Sequence, residues 1–182
     1  MTLALADADV RATARADLDT LHRLYCTYYS FVYRLAVRLG IPTSAAEDVT
    51  HEVFVALTRG AAPGRIVAER AFIAGVVRNV VRDHKRAQFR HIRRAEAYAG
   101  VRDTTQVDQT PLRMDLRALL DTLPEDLRVV FVLTELEDWT APEIAAAVRA
   151  PLSTVYARQR AARAQLKKQL DRNRAREGRR GE

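Results

Sequence analysis

The sequence predicts an all-α protein made of two small helical domains joined by a flexible linker, the C-terminal one a helix-turn-helix. Three observations carry this expectation. Apolar residues recur at spacings of three and four along almost the whole chain. Seven Gly and six Pro in 182 residues are too few for an all-β protein, which needs turn signals about every 8–12 residues. One stretch, residues 100–111, has no apolar period at all and divides the chain.

The elements follow in order. From Asp17 to Leu39, the residues Leu21, Leu24, Tyr25, Tyr28, Val32, Leu35, Ala36 and Leu39 form one helical face, and Gly40 with Pro42 ends it. Thr43 or Ser44 caps a second helix with Glu47 and Asp48 in its first turn, running to about Arg59. Gly60 to Gly64 is a loop. A third helix runs from about Val67 to Phe89. Its valines favour strands intrinsically, but the period of Ile73, Val76, Val77, Val80 and Val81 and the length of the segment overrule that preference. After the linker, Leu112–Leu123 is a short amphipathic helix, and Pro124 opens another carrying Leu127, Val130, Phe131, Leu133 and Leu136. Thr140-Ala141-Pro142-Glu143 has the spacing of a capping box before Ile144–Val148, and a last helix spans about Leu152–Leu170. An Arg-rich tail follows.

Composition narrows the function. At 48% hydrophobic residues the chain is not disordered, and its single cysteine, Cys26, excludes an intrachain disulfide framework and suits a reducing cytoplasm. No apolar run approaches the ~20 residues of a membrane span, so no membrane insertion is expected, and the N-terminus has no signal-peptide stretch. The net charge of +7 is divided unevenly. Residues 1–58 carry −2, residues 59–96 carry +7, residues 97–152 carry −5 and residues 153–182 carry +7. Two basic blocks point to a polyanion, nucleic acid first, although solvated helix faces and a basic tail would read the same way.

The segment 140–170 has the form of a helix-turn-helix. Ala145, Ala146 and Ala147 are small enough for a second helix to cross closely. On that second helix Val155, Ala162 and Leu166 can dock, while Tyr156, Arg160, Arg163 and Lys167 form a separate stripe suited to a major groove and its phosphates. An ordinary helical hairpin with a basic surface is the alternative.

Leu123-Pro124-Glu125-Asp126-Leu127-Arg128-Val129-Val130-Phe131, then Glu143-Ile144-Ala145 and Pro151-Leu152-Ser153-Thr154-Val155, resemble region 4 of bacterial extracytoplasmic-function (ECF) sigma factors. Leu24-Tyr25, Val32-Tyr33-Arg34-Leu35-Ala36, Ala46-Glu47-Asp48-Val49-Thr50-His51-Glu52-Val53-Phe54, Arg70-Ala71-Phe72-Ile73 and Val77-Arg78-Asn79-Val80 resemble region 2 of the same family. The resemblance implies a region 2 domain over 1–98, a linker over 99–111 and a region 4 domain with its basic tail over 112–182. It also implies a promoter-recognition subunit of RNA polymerase, cytoplasmic and not itself an enzyme, with core polymerase (the β′ clamp coiled coil and the β flap), promoter DNA and an anti-sigma factor as partners.

Carried over by position, the resemblance assigns Asp48, His51, Glu52 and Val55 to polymerase docking. The helical geometry agrees, since these four share one face while Ala46, Val49, Val53 and Leu57 take another. Arg78, Asn79, Arg82, Lys85 and Arg86 fall in the helix that reads and opens the minus-ten element. Tyr156, Ala157, Arg158, Arg160 and Arg163 fall in the reader of the minus-thirty-five element. Four departures from the family stand out: His51 where Gln is usual, Phe72 where Trp is usual, Tyr156 where Lys or Arg is frequent, and Arg149 where Gly is usual, a costly replacement if the backbone there is left-handed.

Other chemistry is not supported. His22 and Cys26 lie four apart, but two ligands do not make a metal site. There is no Gly-rich phosphate loop and no nucleophile motif, so no cofactor, metal or catalytic set is expected. A free-standing helix-turn-helix regulator is the alternative function, and a helical interaction protein a third.

Overall fold

The computed structural model describes residues 2–60, 68–99 and 111–178, with side chains over 19–59, 68–94 and 116–174. Its elements are α1 (Thr2–Arg38), α2 (Thr43–Gly60), α3 (Glu69–Ala99), α4 (Pro111–Asp121), α5 (Glu125–Glu135), α6 (Ala141–Val148) and α7 (Leu152–Gly178). The expected loop 60–64 and linker 99–111 lie outside the described residues except at their ends, where Gly60 closes α2, Ala99 closes α3 and Pro111 opens α4. Helices α1, α3 and α7 run further than the apolar period predicts.

The expected stop and start signals act as physical chemistry requires. Gly40 takes a φ of 101°, its N–H donates to Val37 O, and the N–H of Ile41 donates to Ala36 O. This paired arrangement satisfies carbonyls that the end of α1 would otherwise leave free, and Ile41 buries itself as the accompanying apolar contact. At α6 the capping box is complete. Thr140 N and Oγ1 both donate to Glu143 Oε2, at 2.8 and 2.7 Å. Those bonds favour the charged carboxylate and lower the Glu143 pKa.

Helices α1, α2 and α3 pack on one another around Val32, Leu35, Ala36, Val49, Val53, Ile73 and Val77, all nearly inaccessible to water. Helices α5, α6 and α7 pack around Val130, Leu133, Ile144, Val155 and Ala162. The two halves do not stand apart. Their buried residues form one continuous cluster, and α3 lies directly against α6. A Cβ added to Gly75 would sit 2.9 Å from Ala147 O, so the absence of a side chain in the middle of α3 sets how close the two helices come. The small residues of α6 therefore serve a crossing the sequence did not reveal. Ala146 and Ala147 line a groove with Phe72, Gly75 and Asn79 of α3.

Candidate nucleic-acid and polymerase interfaces

The outer face of α2 has the character the sequence anticipates. Asp48, His51, Glu52 and Val55 are exposed together, while Ala46, Val49, Val53 and Leu57 are buried. The exposed four form one wall of an open groove of about 830 Å³, whose other wall is Val80, Asp83, His84 and Ala87 of α3. His51 does not hang free. Its ring stacks on Tyr25 at 6.3 Å and 14°, and Nε2 lies 3.2 Å from the Tyr25 hydroxyl. A half-apolar groove with an acidic rim, between two rigid helices, suits a helix with basic flanks.

On α3 the basic residues divide. Asn79 and Arg86 are exposed. Arg78 is turned toward the C-terminal half, donating to Asp126 Oδ1 at 2.9 Å and Val148 O at 3.4 Å. Arg82 is half-buried beside Asn79 and Asp83. Lys85 donates to Leu39 O at 2.5 Å, at the C-terminal end of α1, where a cation meets the negative end of the helix dipole. Burial, with Arg128 nearby, lowers its pKa to about 8.

On α7, Val155, Ala162 and Leu166 are buried against the domain as expected, leaving Tyr156 (49% exposed), Ala157, Arg160 and Arg163 on the outer side. Arg163 donates to Glu135 Oε1 through Nε and Nη2, at 2.8 and 2.5 Å. Arg158 donates to Asp126 Oδ2 at 2.6 Å. The turn before α7 is tight because Arg149 adopts φ 51°, ψ 50°, the left-handed conformation in which glycine is preferred. His22 Nε2 and Cys26 Sγ lie 3.7 Å apart, and among the described residues no group of three metal-ligating side chains occurs.

Three charged residues outside the expected set prove central. Arg128 is buried on α5 and donates to Leu39 O, Asp121 Oδ1 and Leu123 O. Glu137, also buried, is surrounded by Arg34, Arg38 and Arg70, all from α1 or α3. Asp126 is shared by Arg78 and Arg158. Glu137 and Asp126 each meet a charge from the other half of the chain, and Arg128 reaches a backbone carbonyl there, none of which a local pattern announces. The isolated glycine in α3 is the one signal that could have pointed to the seam.

Two family models match the chain in order: Sigma-70 region 2 over residues 24–91 and Sigma-70 region 4 over residues 113–166. This chain is an ECF sigma factor of the sigma-70 family. Among its relatives, the ECF RNA polymerase sigma factor SigE of Mycolicibacterium smegmatis is 32% identical over 148 residues, 76% of this chain and 57% of that protein. The chain thus spans little more than half of SigE. The RNA polymerase sigma-H factor of Pseudomonas aeruginosa is 28% identical over 178 residues, 88% of this chain and 91% of that one. Two solved structures share the fold, each with a TM-score of 0.63. CnrH, in complex with the cytosolic domain of CnrY, is 23% identical, with 88% of this chain and 94% of that chain covered. The sigma factor RpoE of Bartonella quintana, in complex with the anti-sigma factor NepR, is 19% identical, with 82% and 96% covered.

Proposed function

We propose that this ECF sigma factor binds core RNA polymerase, selects promoters through two separate DNA contacts and starts transcription there. The observation that carries the reading is the ordered pair of region 2 and region 4 matches, and the exposed faces of α2 and α7 support it. On this reading residues 1–98 form the region 2 domain, 99–111 the linker and 112–182 the region 4 domain with its tail. Asp48, His51, Glu52 and Val55 meet the helical coiled coil of the β′ clamp, and region 4 meets the β flap. Of Arg78, Asn79, Arg82, Lys85 and Arg86, the exposed Asn79 and Arg86 hold the minus-ten strand directly, and the other three must leave their present partners to join them. Unstacking a base costs a few kcal/mol, which backbone charge neutralisation and contacts to the extruded base offset. The outer side of α7, with Tyr156, Ala157, Arg158, Arg160 and Arg163, enters the major groove at the minus-thirty-five element.

The protein acts in the cytoplasm, chemistry being supplied by the polymerase rather than by this chain. Among the described residues no helix is long and apolar enough to cross a membrane. An anti-sigma factor covers the same faces in its silent state. The two structural neighbours, each solved with such a partner or with the cytosolic domain of CnrY, support that proposal.

Docking is tested by Asp48→Ala with Glu52→Ala. Both side chains are exposed, so helix content should stay unchanged while affinity for core polymerase falls about tenfold or more, as expected when charged contacts to a partner are removed. Unchanged affinity, measured by fluorescence anisotropy of labelled protein against core enzyme, rejects α2 as the docking face.

A further inference from the structure

Of the chain's 30 basic residues only three are lysines, Lys85, Lys167 and Lys168. The last two are exposed on α7. Lys85 is half-buried and stands among arginines where α1, α3, α4 and α5 meet. Its Nζ donates to Leu39 O at 2.5 Å, and Arg128 Nη1 donates to the same oxygen at 3.2 Å. A Cβ on Gly40 would lie 2.6 Å from each of those nitrogens, so the two cations crowd one spot at the end of α1. Asp121 Oδ1 accepts from Arg128 Nη1 at 2.7 Å, and its Oδ2 lies 3.9 Å from Arg117 Nε. Three cations thus share one close carboxylate, to which Glu125 adds a smaller attraction for Lys85. Donors outnumber acceptors as well. Arg128 Nε, on a side chain 9% exposed, and Arg117 Nη1 are buried with no acceptor among the described residues.

Such a cluster favours a change that brings negative charge and acceptor oxygens. An acyl group on Lys85 would leave a neutral amide, and arginine at this position could not react at all. A neutral lysine amine is a nucleophile, and burial, with Arg128 beside it, disfavours the Lys85 ammonium. With a pKa of about 8, about half of the Lys85 side chains are neutral at about pH 8, against under about 1% of ordinary lysines.

We propose that Lys85 is a carbon dioxide site, where the amine adds to the gas and becomes a carbamate held by Arg128 and Arg117. The Nζ lone pair forms the new bond to carbon, one C=O π pair moves onto oxygen, and one proton leaves Nζ for solvent. The product is an N-carboxylate with a single negative charge. Nζ keeps one hydrogen, which still donates to Leu39 O. The two carboxylate oxygens supply acceptors that the guanidinium groups lack, and among Lys85, Arg117, Arg128 and Asp121 the charges become balanced. The site stands without the promoter reading. On that reading, a cation directed at the minus-ten strand becomes an anion.

Full-length protein equilibrated with isotopically labelled carbon dioxide and bicarbonate at about pH 8 tests the site. Carbamates are fixed as ethyl esters with triethyloxonium and located by peptide mass spectrometry. Label should appear on Lys85 at least about tenfold above Lys167 and Lys168, the direction set by the neutral fractions. Lys85→Arg keeps the positive charge and should abolish the adduct. Arg117→Met removes one partner and should lower the yield at Lys85 about threefold, the scale of a partly exposed ion pair. The urea midpoint of the wild type should be higher with the gas than without it at the same pH, with no difference for Lys85→Arg. Equal labelling of the three lysines, an undiminished Lys85 adduct in Arg117→Met, or a wild-type midpoint indifferent to the gas would overturn the proposal. None of these outcomes bears on transcription with core polymerase, so failure of the site and failure of the promoter reading are read separately.

Discussion

The charge cluster at Glu137 allows a quantitative test of how the two halves are joined. The carboxylate is 4% exposed, and Arg38, the closest of its three arginine neighbours, is 31% exposed and also donates to Leu136 O at 2.8 Å. At an effective dielectric of about 20, a charge pair 4 Å apart attracts by about 4 kcal/mol. Desolvating the carboxylate and fixing the arginine stem offset most of that, and the two other arginines partly replace Arg38 if it is lost. A net coupling of about 1–2 kcal/mol remains, above the range of exposed pairs and below that of fully buried ones. Removing both partners, Glu137→Gln and Arg38→Met, separates this coupling from the backbone bond that Arg38 also loses. The four proteins of the cycle are unfolded in urea and followed by Trp139 emission and by far-ultraviolet circular dichroism. A coupling below about 0.3 kcal/mol, the usual error of additivity, would mean that the arginines around Glu137 are interchangeable solvated charges and that the contact between halves does not rest on them.

Two further outcomes follow from backbone and burial. Arg149→Gly relieves the left-handed conformation of the turn, worth about 1–2 kcal/mol, while the added freedom of the unfolded chain takes back roughly half. The melting temperature should rise by about 2 °C, the scale of a protein this size, and a fall would mean that the Arg149 side chain makes a compensating contact. Burial holds the Lys85 pKa at about 8 in the folded protein, against the ordinary lysine value of about 10.4 once the chain unfolds. Between those values the unfolded chain binds more protons than the folded one, so stability rises as pH climbs from 8 to about 10 and is lost on the way down. Lys85→Met should flatten that part of the wild-type pH profile, measured by urea unfolding, and identical slopes would place the lysine in solvent.

Much of the fold was legible because its signals are local. Gly40 had to end α1 since only the left-handed region lets the chain close the helix there. Thr140 and Glu143 had to start α6 because each satisfies a backbone or side-chain group of the other. The split of α2 into a buried face and an exposed one followed from 3.6 residues per turn, as did the three docking residues of α7. The lengths of α1, α3 and α7 were not legible, since their outer turns carry no apolar period. Nor was the seam. Arg78 and Lys85 read as solvated phosphate ligands from the sequence, and the structure turns both inward, against Asp126 and Leu39 O. No pattern in the sequence singles out Glu137. Which charges meet across an aperiodic linker depends on how two finished surfaces fit, and spacing along the chain holds no record of that.

That division also revises the meaning of the two basic blocks. They belong to different helices, as their separation suggested, yet α3 and α7 share a counterion at Asp126. Transcription itself decides the proposed function. A run-off assay across a promoter library, with core polymerase, the chain, or both, tests it most directly. Transcripts from a subset of promoters only when both are present is the predicted result. Silence at every promoter, with tight binding of the isolated chain to duplex DNA, would contradict it and favour a free-standing helix-turn-helix regulator.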